Sequence, residues 1–91
     1  MMVNRKHYIG ILRECLKARS DFKDLEYYKN WNTGEETLIL SDIVGRVVML
    51  NITGLPEAQI FHSLAQVECG QTPINLISNT AEMMRIANDM R

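Results

Sequence analysis

Apolar residues recur at helical spacing through the first part of the chain. From Asn4 to Arg19 they fall on one side of a helix of 3.6 residues per turn, with charged side chains opposite. This pattern predicts an amphipathic surface helix that ends before a break at Ser20 and Asp21. Leu25, Tyr28 and Trp31 keep the same spacing and predict a second, shorter helix over residues 24–31.

The segment from Thr33 to about residue 52 decides the predicted fold class. Thr33 and Glu36 fit a capping box, in which each side chain would accept a hydrogen bond from the other residue's backbone N–H. Beyond this cap, apolar residues cover most of the helix circumference, and Asp42 and Arg46 form an i,i+4 pair on the narrow polar stripe. A helix this apolar belongs at the centre of a bundle.

The same residues also fit a β-hairpin. Aromatic and β-branched residues favour strands at residues 25–31 and 37–40, followed by a helix capped by Ser41. The alternative fold class is therefore α+β, with a hairpin at about residues 25–40.

A fourth helix is predicted after the central one. Pro56 suits the first position of a helix, and the apolar spacing continues to about Cys69. Gly70 then stands where a glycine in the left-handed region commonly ends a helix.

The last predicted helix begins at Thr72-Pro73 and runs to Met90, unless it restarts at Asn79, whose side chain forms a weaker cap with Glu82. The leading prediction is then an all-α fold. It is one helical domain over residues 1–91, a small bundle of four or five helices around a central apolar helix.

The C-terminal helix carries more apolar surface than one intramolecular contact needs, and its methionines suit an adaptable interface. We therefore expect a protein–protein interaction module, such as a regulatory or accessory protein, that self-associates as a homodimer. Another protein as partner is the alternative, and so is a helix sandwiched within its own bundle. The predicted interface consists of Leu76, Thr80, Met83, Met84, Ala87 and Met90.

Charge is divided unevenly along a chain of 91 residues with a net charge of −1. The residues through Arg19 carry a net charge of +4, and the remainder carries −5. The basic face of the first helix would contact an anionic partner through Lys6, Arg13 and Lys17, or would simply be solvated. The second function class is thus a small nucleic-acid-binding regulator.

A degenerate helix-turn-helix at residues 56–90 is another route to nucleic-acid binding. Its second helix offers no Arg or Lys before Arg85, whereas recognition helices usually present such residues early. This motif by itself therefore argues against nucleic acid as a partner.

Candidate chemistry is sparse. The two cysteines and two histidines lie at no metal-ligand spacing, and no phosphate-binding glycine loop is present. We expect no enzyme activity, no metal and no cofactor. Cys15 lies on the apolar side of the first helix, as a small core residue would, and Trp31 with its neighbouring tyrosines would close the core or anchor a partner.

Cysteine usage and hydropathy bear on location. Two cysteines without an export segment are typical of a cytoplasmic protein. The longest apolar run, residues 38–52, contains two charged residues and is too short to span a membrane.

Overall fold

The structure, a computed structural model, describes residues 5–19 and 22–90, and these residues form three α-helices and one three-stranded antiparallel sheet in the order β1-β2-β3. The all-α bundle is therefore wrong, and the α+β alternative with a hairpin at about residues 25–40 is confirmed. The predicted break at Ser20 and Asp21 lies outside the described residues. The elements are α1 (Arg5–Arg19), β1 (Phe22–Lys29), β2 (Glu36–Asp42), β3 (Val47–Asn51), α2 (Glu57–Glu68) and α3 (Thr80–Asp89).

The turn between β1 and β2 replaces the predicted capping box. Asn30 Oδ1 accepts hydrogen bonds from the N–H groups of Asn32 and Thr33, and the Thr33 hydroxyl accepts from the N–H of Glu35. Gly34 has φ +79°, which a residue with a Cβ rarely adopts. Side-chain hydrogen bonds of this local kind favour turns over helices, so Thr33 closes a hairpin.

The turn between β2 and β3 contains the Asp42–Arg46 pair that suggested a helix. The Asp42 carboxylate accepts from the N–H groups of Val44 and Arg46 at 3.0 and 2.8 Å, and from Arg46 Nε at 2.7 Å. Gly45 has φ +89°. The pair exists as predicted, but it spans a hairpin turn. An i,i+4 spacing brings two side chains together across a tight turn as well as along one face of a helix.

Strand β2 is central in the sheet, and most of its side chains are buried on both faces. On the first face α1 and α2 pack over the sheet, and their core consists of Ile9, Leu12, Leu16, Leu25, Leu38, Leu40, Leu50, Ile52, Ile60 and Leu64. On the second face Ile39 and Met49 pack with Ile77 and Ile86. A strand buried on both faces has no polar side. This explains why residues 33–52 fit the pattern of a helix that is apolar all round. Ser41, predicted to cap a helix in the alternative fold, pairs with Val47 in the sheet.

Helices α1 and α2 match two of the predicted elements. Gly70, at φ +77°, follows the end of α2 as predicted. One predicted core position is wrong: Cys15 of α1 is exposed. Among residues 5–19 and 22–90, none of the helices is long and apolar enough to cross a membrane.

Residues 73–79 are not helical, so the long C-terminal helix is wrong. The N–H of Asn51 donates to the carbonyl of Asn75, and the N–H of Ile77 donates to the carbonyl of Met49, both at 2.9 Å. This segment therefore follows the outer edge of β3, and no helix-turn-helix forms over residues 56–90. Helix α3 begins after Asn79, whose side chain accepts from the N–H of Glu82, as the alternative restart predicted.

Candidate functional site

A basic and aromatic cleft lies where the first turn of α1 meets the end of β1. We call it the Trp31 cleft; it measures about 290 Å³ and is lined by Arg5, Lys6, Tyr27, Lys29 and Trp31. Trp31 is 79% exposed, and the ammonium of Lys29 lies 4.5 Å from the centre of its ring. The cleft therefore combines three cationic side chains with an accessible indole surface.

The buried carboxylate of Glu36 contacts two of the residues that line this cleft, Arg5 and Tyr27. It accepts hydrogen bonds from the Tyr27 hydroxyl and from the N–H of Gly54, and its Oε2 lies 3.2 Å from Arg5 Nε. Arg5 also donates to the carbonyl of Leu55 at 2.8 Å. These contacts fix the orientation of the Arg5 and Tyr27 side chains.

The electrostatics of this group favour a charged carboxylate beside a neutral phenol. Burial by itself raises the pKa of Glu36, but the hydrogen bonds from Tyr27 and Gly54 and the charge of Arg5 outweigh it, so the pKa lies below its ordinary value. Burial, followed by the hydrogen bond to Glu36, raises the pKa of the Tyr27 hydroxyl. Tyr27 thus remains a donor, and Glu36 remains an anion balanced by Arg5.

The three basic residues predicted to contact an anionic partner share one stripe of α1. At 100° per residue, Lys6, Arg13 and Lys17 fall within about 40° of each other. Lys6 and Lys17 are exposed, and Lys6 lines the Trp31 cleft. The sequence did not indicate that Lys29 and Trp31 would join Lys6, because that contact depends on α1 lying against β1.

Arg13 has a structural partner at the free edge of β1. Its Nε donates to the carbonyl of Leu25 at 2.7 Å and lies 3.5 Å from Asp24 Oδ1, while Asp24 Oδ1 accepts from the N–H of Leu25 at 2.9 Å. Both outward backbone groups of Leu25 are therefore satisfied by side chains. This arrangement blocks strand pairing at that point of the edge.

The second face of the sheet is crossed by α3, which is anchored on one flank. Arg85 pairs with Glu35 at 3.1 Å, and Tyr28 donates to Asp89 at 3.0 Å. Because Glu35 and Tyr28 lie toward the β1–β2 turn, the charged flank of α3 points to that end of the sheet. The opposite, apolar flank points to the end at which the β2–β3 turn lies.

Helix α3 is too narrow to cover the second face. A helix is about 10 Å across with its side chains, whereas the seven residues of β2 extend about 23 Å. Beyond α3, apolar side chains remain exposed on the turn and on the facing flank. We call them the α3–turn surface: Ile43, Val44, Val47, Met84, Ala87 and Met90.

The structure separates the six residues predicted as an interface. Met84, Ala87 and Met90 lie on the exposed apolar flank of α3, and Thr80 is exposed at its first position. Met83 is half-buried against the core of the second face, and Leu76 packs against the core of the first face.

Catalytic or metal-binding arrangements are not evident in the described part of the chain. No group of three His, Cys, Asp or Glu side chains among residues 5–19 and 22–90 is placed to hold a metal ion. Cys15 is exposed on α1, and His62 and Cys69 are exposed seven residues apart, on α2 and at its C-terminal cap. Comparison of the chain with known protein families, with curated proteins and with solved structures finds no match.

Proposed function

We propose that this protein is a non-catalytic interaction module that works as a homodimer, with the α3–turn surface as the dimer interface. The observation that carries the proposal is the half-covered second face of the sheet. Ile43 and Val44 are 70% and 73% exposed, and Met84 is 60% exposed. Exposed apolar surface of this kind is typical of interaction sites.

A second copy of this chain fits the surface better than an unrelated partner because the charges at its borders are complementary. Glu26 is exposed on the β1 side of the second face, and Arg46 is exposed at the β2–β3 turn. In an isologous pair each border faces the other across the two-fold axis, so acidic and basic groups oppose one another. The methionine side chains of α3 supply the adaptable packing between them.

The turn is also well suited to contact a partner because its backbone is held in one conformation. The hydrogen bonds from Val44 and Arg46 to the Asp42 carboxylate fix the loop that presents Ile43 and Val44. A fixed loop loses less conformational entropy on association than a mobile one.

Sedimentation equilibrium over a range of protein concentrations tests the proposal. We expect a dimer for the natural sequence, and we expect Met84→Asp and Val44→Asp each to raise the dissociation constant at least tenfold, because each buries an unpaired charge in the interface. Ile74→Asp is the matched control: Ile74 is fully exposed and lies outside the α3–turn surface, so its dimer should persist. Circular dichroism verifies that the variants fold.

Two outcomes would overturn the proposal. One is a natural sequence that stays monomeric at the highest soluble concentration. The other is a dimer that Ile74→Asp weakens as much as Met84→Asp does, since that result would remove the link to this surface.

A further inference from the structure

We propose that the Trp31 cleft binds single-stranded nucleic acid, with a base stacked on Trp31 and backbone phosphates held by Lys6 and Lys29. This site lies at the opposite end of the sheet from the α3–turn surface, and the proposal does not depend on dimer formation.

The cleft pairs an exposed indole with cations. Trp31 sits on the β1–β2 turn, which Asn30 stabilises through two side-chain hydrogen bonds, so the ring has a fixed support. Lys29 lies over the ring at 4.5 Å. Stacking on an aromatic ring beside a positively charged groove is how proteins bind single strands without reading their sequence.

The charge around the cleft also favours an anionic ligand. Its lining supplies three cationic groups, Arg5, Lys6 and Lys29, and one of them, Arg5, neutralises the nearby carboxylate of Glu36 at 3.2 Å. The balance of the cleft is therefore positive although the whole chain has a net charge of −1. A local positive potential of this kind attracts a polyanion.

The basic character of the cleft continues along α1. Lys17 lies eleven residues beyond Lys6 on the same stripe, a distance of about 16 Å along the helix axis. A stacked strand with about 3.4 Å between phosphates would cover that distance with about five nucleotides. The stripe thus gives the backbone a path away from the cleft.

The geometry favours a single strand over a duplex and over an acidic peptide. In a duplex the base faces are already stacked on one another and are unavailable to Trp31. The carboxylates of an acidic peptide would use the lysines and leave the indole surface unoccupied. A single-stranded nucleic acid uses both parts of the cleft.

Trp31 is the single tryptophan of the sequence, so its fluorescence reports directly on the site. The probe is a ten-residue oligouridylate, in one arm as RNA and in the other as the deoxy form, added at low salt. We expect quenching of the Trp31 emission, and an affinity that falls with salt by a slope of about −0.7 per neutralised phosphate. Equal binding in both arms indicates contacts to base and phosphate, and preference for RNA indicates a further contact to the 2′-hydroxyl.

Variants are compared by fluorescence anisotropy of a labelled oligouridylate. Trp31→Ala should weaken binding about 5- to 100-fold, whereas Trp31→Phe should retain most of the affinity because it keeps an aromatic ring. Lys29→Gln should reduce the magnitude of the salt slope by about 0.7. Lys23→Gln is the charge-matched control: Lys23 is exposed near the start of β1, at the end of the strand away from Trp31, and its replacement should change neither quantity. Met84→Asp should bind as the natural sequence does, which separates this proposal from dimer formation.

Three results would overturn the proposal. The oligouridylate fails to quench Trp31 at low salt, or Trp31→Ala binds as tightly as the natural sequence. The third is equal affinity and equal quenching with a polyglutamate peptide of the same length, which would identify the cleft as a site for acidic proteins.

Discussion

Tyr27 and Tyr28 are neighbours in the sequence and donate their hydroxyl hydrogen bonds on opposite faces of the sheet. Tyr27 donates to Glu36 beneath α1, and Tyr28 donates to Asp89 of α3. Because side chains alternate along a strand, two adjacent residues connect β1 to the layer on each side. The acceptors differ: Glu36 is buried and Asp89 is exposed.

This difference predicts unequal effects of removing the two hydroxyls. Tyr27→Phe leaves a buried carboxylate with one donor fewer, so we expect it to lower the free energy of unfolding by about 1 to 2 kcal/mol. This value is at the low end of the range for hydrogen bonds to charged groups because the Tyr27 ring is partly exposed. Tyr28→Phe should have a clearly smaller effect, since water replaces the lost donor at Asp89. Urea denaturation of both variants measures the difference, and equal losses would contradict it.

Glu36 predicts a dependence of stability on acid pH. Its pKa in the folded state lies below the ordinary value of 4.5, so the folded state binds the proton less tightly than the unfolded chain does. The stabilisation is therefore complete above about pH 4.5 and is lost as the pH falls through the folded-state pKa.

We expect the advantage of the natural sequence over Glu36→Gln in unfolding free energy to be constant near neutral pH and to shrink below pH 4.5. Burial raises the pKa of Asp42, but the hydrogen bonds from Arg46 and Val44 outweigh this effect, so the pKa of Asp42 is also lowered. Both proteins contain Asp42, so its contribution to the pH dependence cancels in the comparison. Glu26→Gln, at an exposed position on β1, serves as control. An advantage that does not change in acid would refute the assignment.

The contacts of Arg13 predict a role in protecting the free edge of β1. Arg13→Ala removes the donor to the Leu25 carbonyl, and we expect a stability loss below about 1 kcal/mol because the pair with Asp24 is partly exposed. The larger effect should be aggregation through the opened edge, measured as light scattering during mild heating. Lys17→Ala, on the same stripe of α1, should scatter light no more than the natural sequence does. Increased scattering by Lys17→Ala would show that the loss of positive charge, and not the opened strand edge, causes the aggregation.

The buried hydroxyl of Thr37 leads us to predict a stabilising substitution at this position. Its side chain is fully buried beneath α3, and among the residues the structure describes its hydroxyl has no hydrogen-bond partner. Thr37→Val keeps the shape and removes the unsatisfied group, so the free energy of unfolding should rise by about 1 kcal/mol. Thr37→Ser, which keeps the hydroxyl and loses the methyl, should be destabilising. A loss of stability in Thr37→Val would show that the hydroxyl is satisfied in solution.

The helices that the sequence predicted correctly are those whose apolar residues occupy a single side. Helices α1 and α2 follow this rule, and Asn79 with Glu82 marks the start of α3 through local hydrogen bonding. The prediction for the central segment failed because the middle of β2, Leu38–Leu40, is apolar on both faces. Helical and strand periods cannot be distinguished in such a run.

The candidate sites were predictable only in part, for reasons of long-range packing. Lys6, Met84 and Met90 could be selected from charge and hydropathy along one element. The Trp31 cleft requires that residues 5 and 6 of α1 meet residues 27–31, and the α3–turn surface requires the direction in which α3 crosses the sheet. Neither relationship is encoded in the local spacing of residues.

Dimer formation through the α3–turn surface is best examined by methyl NMR of the natural sequence during dilution. We expect concentration-dependent shifts for the methyl groups of Ile43, Val44, Val47 and Met84, while those of Ile11 and Ile74, which are also exposed, stay constant. Shifts that are absent throughout, or that centre on Ile11 or Ile74, would contradict dimer formation through the α3–turn surface.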